Sequence, residues 1–466
     1  MSTLRTLSIV LTASLTGACT LMPDYQRPAP PVPTAFPQAA SAAGEATPAD
    51  AIAWRDYFAD VKLREVIALA LANNRDLRIA ALNIEKARAQ YGIQRADLFP
   101  AVGASGGQTA QRLPGDLTVS GNAQINRQYS ATIGFSAYEL DFFGRIRSLN
   151  AASLETYLGT EEARRSVQIS LVAEVANVWL TLGADRERLA LARSTYETRL
   201  KSRDLIRRSA EEGAVSALEY NQSQMLLQGA RADVARFTTL VAQDENALAL
   251  VAGATVPAEW LPATLTDHIS AVTELPAGVP SDVLARRPDI LQAERNLRAA
   301  NASIGAARAA FFPRISLTAA AGTASSTLGG LFDGGSGTWS FMPQIRIPIF
   351  EAGRLKASLD VAEVQRDINV AQYEKAIQTA FREVADALAE RATLAEQVDA
   401  RRQQLDATQA GFRLSDARYQ GGVDSYLGLL DAQRTLYLAE QDLIIVRLAD
   451  AANRVMLYKV LGGGWQ

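Results

Sequence analysis

The sequence predicts a mainly helical chain built from two tandem copies of one unit, each with a pair of short β-strands and one very long helical hairpin. Three observations carry that reading. Matching residues recur in order along the chain at a near-constant offset. Two stretches, 145–212 and 354–420, contain no proline. A few short stretches alternate apolar and polar side chains with the period of two that marks a strand.

Composition narrows the function. The chain has 466 residues, 47 Lys+Arg against 50 Asp+Glu and a net charge of −3, so it lacks the basic footprint of a nucleic-acid binder. With 48% hydrophobic and 21% charged residues it can bury a large core. One histidine and one cysteine exclude an internal disulfide and argue against a His/Cys zinc site. Ser-His or Cys-His catalysis would have to use His268 or Cys19, and His268, between Asp267 and Ser270, reads as a solvated loop residue. No catalytic residue, metal or cofactor is therefore assigned, and the chain reads as a non-enzyme. No apolar run reaches about 18 residues, so no transmembrane helix is expected.

Residues 1–18 read as an export signal: Arg5 supplies the positive region, and Leu7–Leu11 opens an apolar stretch too short to span a bilayer. Leu15-Thr16-Gly17-Ala18-Cys19 resembles the lipobox of bacterial lipoproteins, with Thr16 departing from the usual aliphatic residue. That resemblance implies N-acyl and diacylglycerol lipid on Cys19, and Thr20 after it favours sorting to the outer membrane. The alternative is an ordinary signal with an incidental cysteine. Residues 19–55 hold seven of the 17 prolines and are expected to run extended along a surface or act as a tether.

The duplication organises the rest. Asp76, Ala80, Asn83, Ala87, Ala89, Gly92, Arg95, Ala96, Phe99 and Pro100 each meet an identical residue 213 positions later. Gly144-Arg145, Glu174-Val175-Ala176, Gly213, Ser216, Leu218 and Gln224 do so at an offset of 209. A period this long means two copies of one unit rather than a solenoid. The copies are placed at 56–265 and 266–466.

Each copy opens with a helix, about 60–97 and about 288–309, the second started by Pro288 and Asp289. Strands follow at about 100–111 and 129–141, then at about 313–325 and 338–349. Pro343 and Pro348 are unlike an ordinary central strand and are placed at the bend out of it. The glycine-rich loops from Pro114 and from Gly329 lack the Lys-Ser or Lys-Thr of a phosphate loop and read as hairpin loops. Two long hairpins, 145–252 and 352–460, complete the copies. Seams through Val172, Val175, Trp179, Leu182 and Leu189, and through Ile377, Phe381, Val384 and Leu388, argue for coiled-coil packing. Arg391 and Arg402 interrupt the second seam. The turns are marked by Gly213 and Gly422.

Four half-apolar strands cannot close a barrel, since spanning barrels need at least about eight. Several chains must share one barrel if the strands enter a membrane; otherwise they form a small soluble sheet on a coiled-coil rod. The residues alone leave both open.

Longer motifs go further. Arg286-Arg287-Pro288-Asp289-Ile290, Ala299–Pro313, Pro348–Arg354 and Tyr419–Leu427 resemble the outer-membrane efflux protein family of the OprM/TolC type, and Cys19–Pro28 is similar to its lipoprotein branch. The resemblance implies a homotrimer with a 12-stranded β-barrel in outer-membrane lipid, continuing into a 12-helix periplasmic α-barrel. It also implies a periplasmic adaptor (membrane fusion) protein and an inner-membrane RND transporter as partners in efflux. Asp431 and Arg434 share one helix face and read as a local ion pair or, around a three-fold axis, as a charged ring. Leu427, one turn earlier, would add an apolar constriction. The resemblance makes Leu427, Asp431 and Arg434 the periplasmic gate. Gly213 and Gly422 are candidate adaptor contacts or simply turn glycines, and Trp339 belongs to an interfacial belt or a strand-end packing site. The rivals are a duct for secreted proteins, which shares the architecture, and a soluble coiled-coil scaffold.

Overall fold

The computed structural model describes residues 20–36, 49–266, 269–270 and 281–466. The expected signal segment, Cys19 and His268 lie outside the described residues. The described chain is mostly helical, with one four-stranded antiparallel sheet in the order β1-β2-β3-β4. It folds into two compact units. Of the described residues, one comprises 20–29, 83–161 and 292–374, and the other comprises those within 30–82, 162–291 and 375–466.

The first helical region is two helices, α1 (Val61–Asn73) and α2 (Arg75–Ala96), where the sequence reading has one. The break is Asn74, held extended at φ −61°, ψ 134°. Its side-chain oxygen accepts from the Leu77 amide at 2.9 Å, and its amide donates to the Val251 carbonyl at 2.8 Å. An Asn that satisfies a helix's orphan amide serves as an N-cap, and here it outweighs the helical pattern around it.

The sheet lies within the first unit. Its strands are β1 (Val102–Leu113), β2 (Gln124–Leu140), β3 (Arg314–Ser325) and β4 (Gly337–Arg346). Paired residues share a face, so the register fixes two surfaces. Val102, Phe135, Ala319 and Phe341 lie across one, next to Ile133, Ala321 and Trp339. Ser105 and Thr132 lie on the other, their hydroxyls 2.9 Å apart, with Ser130, Gln128, Thr318 and Ser340. One face is greasy and one is small and polar. Gly134 and Gly322 sit on the polar face where strands approach closely: a Cβ on either would fall 2.1 Å from a carbonyl oxygen of the neighbouring strand.

Two features of the sheet depart from the sequence pattern. The β2–β3 register shifts between Phe135 and Tyr138, leaving Ala137 in the left-handed region at φ 54°. The Thr318 hydroxyl accepts the amide this bulge frees, at 3.0 Å. Pro343 is inside β4, opposite Leu317, rather than at its end. β4 is the last strand of this chain's sheet, where alternate N–H groups face away from β3 and proline is accommodated.

There are two helical hairpins, α3 (Arg145–Glu211) with α4 (Ala217–Ala252) and α6 (Arg354–Gln420) with α7 (Tyr426–Val460), and the second unit holds them from residues 162 and 375 onward. The portions of α3 and α6 within this unit supply its seams; α5 (Pro288–Ala309) comes between the hairpins in sequence. Val172, Val175, Trp179, Leu182 and Leu189 are buried, as are Ile377 and Val384. Arg391 fits into its seam because Asp450 on α7 accepts it at 2.9 Å. The expectation that no segment could cross a membrane as a helix needs correction by length and composition: α3 contains an 18-residue window apolar enough to do so. That window is 61% buried, as in the core helix of a packed bundle.

Candidate functional site

The hairpin ends of the second unit carry the residues picked out in the sequence. Both turns close in the same way. The Ala214 amide donates to Ser209 at 2.8 Å and Gly213 to Ala210 at 3.1 Å; Val423 donates to Arg418 at 2.9 Å and Gly422 to Tyr419 at 3.0 Å. This is the Schellman pattern, which needs a left-handed residue, and Gly213 (φ 76°) and Gly422 (φ 71°) supply it. Nothing lies within 4 Å of a Cβ built on either, so their conformation, not space, calls for glycine.

Beyond the turns the two ends differ. Ser216 and Glu219 form a reciprocal capping box at the start of α4. Ser425, at the start of α7, makes no side-chain cap. There the turn is closed by Arg418, which grips Asp424 through Nε at 2.6 Å and Nη2 at 2.8 Å. The Arg418 hydrogen bonds hold the Asp424 carboxyl below its ordinary range.

The first turns of α7 have two faces. Tyr426, Leu429 and Leu430 are buried with Ile206 of α3, among Val215, Tyr220, Leu226, Phe412 and Tyr419. Two turns further, the Tyr437 hydroxyl donates to Asp233 of α4 at 3.1 Å, and its ring lies 5.4 Å from the Arg199 guanidinium. Burial, followed by the charge of Asp233, pushes the Tyr437 hydroxyl up to about 12. Arg199 is itself buried and donates to the Leu226 carbonyl at 2.9 Å.

The opposite face carries Leu427, Asp431 and Arg434, spaced so that they stack along the helix. Arg434 Nη2 donates to Asp431 Oδ1 at 2.6 Å, with both side chains about two-thirds exposed (65% and 63%). Leu427 is 60% exposed, and Leu438 continues the stripe at 54%. The structure thus brings the three predicted residues onto one free face of one helix. Sequence reasoning missed Leu438, which the four-residue step from Arg434 would have found. It also missed Tyr437, Asp233 and Arg199, which meet from three helices and leave no local pattern.

The described residues contain no group of three or more His, Cys, Asp or Glu side chains able to hold a metal ion. The pieces define a class: a chain with a four-stranded sheet greasy on one face and two long helical hairpins, one of which carries an exposed charged stripe near its end. Comparison with known proteins gives that class its family. The sequence pattern of the outer membrane efflux protein family matches residues 66–254 and 279–463, and the chain belongs to that family. It is 52% identical over 463 residues to the toluene efflux pump outer membrane protein TtgC of Pseudomonas putida, covering 98% of this chain and 95% of the relative. It is equally similar, 52% over 463 residues with the same coverage, to the antibiotic efflux pump outer membrane protein ArpC of Pseudomonas putida. The open state of the Neisseria gonorrhoeae outer membrane channel MtrE superposes with a TM-score of 0.88 at 39% identity, over 96% of this chain and 99% of that one. The protein is an outer-membrane efflux channel and not an enzyme.

Proposed function

We propose that three copies of this chain form the exit duct of a tripartite efflux pump, gated by Leu427, Asp431 and Arg434. The observation that carries the reading is the free face of α7. A surface i,i+3 ion pair contributes only a few tenths of a kcal/mol to stability. An exposed leucine beside it contributes less than a buried one, so the fold gives no reason for this stripe. Placed around a three-fold axis, the charges would bridge neighbouring chains and Leu427 would narrow the bore, which resists wetting.

The sheet suits the same assembly. Four strands leave two open edges, each with unpaired backbone groups that hydrocarbon does not tolerate. Sharing a 12-stranded barrel removes them, the greasy face turned to lipid and the Ser/Thr face to water. Trp339, exposed on the greasy face, belongs to the interfacial aromatic belt of that barrel.

In this assembly the helical hairpins reach into the periplasm. An adaptor protein docks around the turns at Gly213 and Gly422, and an inner-membrane RND transporter loads the duct. Lipid on Cys19 adds an anchor beside the barrel. The cargo class is small toxic organic compounds, the class to which the toluene and antibiotics in the relatives' names belong.

The test is the double substitution Asp431→Ala, Arg434→Ala in planar bilayers. Single-channel conductance is expected to rise several-fold, and a closed-state current equal to that of the parent would overturn the gate.

A further inference from the structure

In the first unit the helix-side end of the sheet carries a cleft of about 250 Å³, lined by strand ends and by the first residues of α3 and α6. Part of its lining is apolar: the Phe143 and Phe312 rings stack at 4.7 Å, with Pro313 and Pro348 also in the lining. The rest is charged, with Arg145, Arg314, Arg346 and Arg354 against Glu139, Asp141 and Glu351. The carboxylates are already engaged. Glu139 accepts from Arg145 through Nε (2.8 Å) and Nη2 (2.7 Å) and from Arg314 Nε at 3.2 Å. Asp141 accepts from the Arg147 amide at 2.8 Å. Glu351 takes Arg354 through Nε at 3.0 Å and Nη2 at 2.8 Å. Among the described residues Arg346 makes no hydrogen bond or ion pair and acts on Glu351 only through space.

Arg346 pairs directly with Arg314 across β3 and β4. Side chains so paired have Cβ atoms about 5 Å apart, and like charges directly opposite each other destabilise a sheet. The duplication shows that the shared fold does not call for them: at the offsets of 213 and 209 the first copy has Ala101 and Ala137. Glu139 cannot neutralise both, since it already takes three guanidinium bonds and its side chain is 14% exposed. An oxyanion that accepts from both planar forks turns the repulsion into a bridge. The positive ends of α3 and α6, which begin at Arg145 and Arg354, add to the same field. The register puts the site on the polar face of the sheet. Arg314 and Arg346 step by two from Ser316 and Gln344 towards Thr318 and Met342, and Glu139 lies opposite Ser316.

We infer that this cleft is a binding site for an oxyanion, a sulfonate, carboxylate or phosphate, carried on an aromatic ring. The guanidiniums of Arg314 and Arg346 hold the oxygens, and the stacked pair Phe143 and Phe312 takes the ring. The cleft is smaller than the pockets of roughly 300–1,000 Å³ that bury drug-sized ligands, so it takes the acid group and one or two fused rings. Its place on the polar face puts it in the bore of the duct proposed above. Three such sites form a basic ring at the base of the barrel, the arrangement that favours anions in a pore. The place in the bore rests on the duct reading; the binding does not.

The experiment is titration calorimetry of the full chain in detergent with naphthalene-2-sulfonate, against sulfate alone and the neutral 2-naphthalenemethanol. The parent should bind the sulfonate more tightly than either. Arg346→Ala should weaken that binding about tenfold or more, by losing charge-assisted bonds. Phe312→Ala should weaken the sulfonate and leave sulfate unchanged. Because Arg346→Ala ends a like-charge contact, its melting temperature should equal or exceed the parent's; a lower one would overturn the repulsion on which the site rests. Equal sulfonate affinity in parent and Arg346→Ala would overturn the site, and so would neutral compound binding as tightly as the sulfonate. In planar bilayers the sulfonate should reduce the current through the Asp431→Ala, Arg434→Ala channel, and adding Arg346→Ala should relieve the block. Block that is absent, or equal with and without Arg346, would overturn the place in the bore while the calorimetry still decides the binding. No rise in conductance from the gate pair would count against the gate alone, since the calorimetry requires no open channel.

Discussion

The two hairpin ends share a turn and part company immediately after it. Both close on a left-handed glycine with the same pair of backbone bonds. On α4 the exposed face then reads Leu218, Gln222 and Met225; 209 residues on, the matching face of α7 reads Leu427, Asp431 and Arg434. Leu218 and Met225 are each 66% exposed, so both faces are free and only one is charged. Backbone geometry is thus common property of the two ends, while the chemistry that could gate a bore belongs to one. The comparison also separates stability from function. The first end is fastened by its own capping box, the second by Arg418 and Asp424 and by the buried side of α7.

The largest effect should come from removing the charged pair of the second end, with its transplant to the first end as the control. Gln222→Asp with Met225→Arg places the same pair on the first end. If the second end alone lines the bore, this double substitution leaves single-channel conductance unchanged, while removing Asp431 and Arg434 raises it several-fold. A conductance change from the transplanted pair would break the assignment of the two ends.

Next come the glycines. An alanine at a positive φ costs about 1–2 kcal/mol. Gly213→Ala and Gly422→Ala should each lower stability by that amount in chemical denaturation, and by equal amounts, since neither site is sterically filled. An added fall in adaptor cross-linking at either turn would assign docking there, whereas stability loss alone would leave it a turn glycine. The caps should differ more plainly. Ser216→Ala removes a capping hydrogen bond and should cost about 1 kcal/mol. Ser425→Ala removes none and should cost a few tenths at most.

How far this was legible in the sequence depends on whether the signal is local. The long helices and the glycine turns are written in missing prolines and in positive-φ residues, both read within a few positions. The shared face of Leu427, Asp431 and Arg434 follows from helical spacing for the same reason, whereas the gating role proposed for it comes from the family resemblance. Asn74 was missed because its capping role depends partly on Val251, far away in sequence. Pro343 was misplaced because the sequence does not say which strand is at the edge. Tyr25 and Arg27 hydrogen-bond to Glu294 across more than 260 residues of sequence, and proline content alone told only that their segment is extended.

An effect that depends on pH also divides the two hairpins. Asp185 of α3 is buried and takes Arg188 at 2.7 Å, while Asp244 of α4 faces it with one oxygen buried and no donor. The matching positions of the second hairpin are Leu394 and Asn453, and Asn453 donates to Ala387 and Glu390 instead. Burial first, then the charge of Asp185, raises the Asp244 carboxyl from 3.8 to about 6. Its folded-state value lies above the unfolded one, so the folded state holds this proton more tightly. The stability that the proton contributes is complete below about pH 4 and is lost as pH rises to about 6. Asp244→Asn keeps the shape of the protonated acid without its titration. The melting temperatures of parent and variant should therefore nearly coincide at pH 4, with the variant pulling ahead above pH 6. A constant gap between the two from pH 4 to 7.5 would mean that Asp244 does not hold its proton in the folded state, and that the first hairpin is no more sensitive to rising pH than the second.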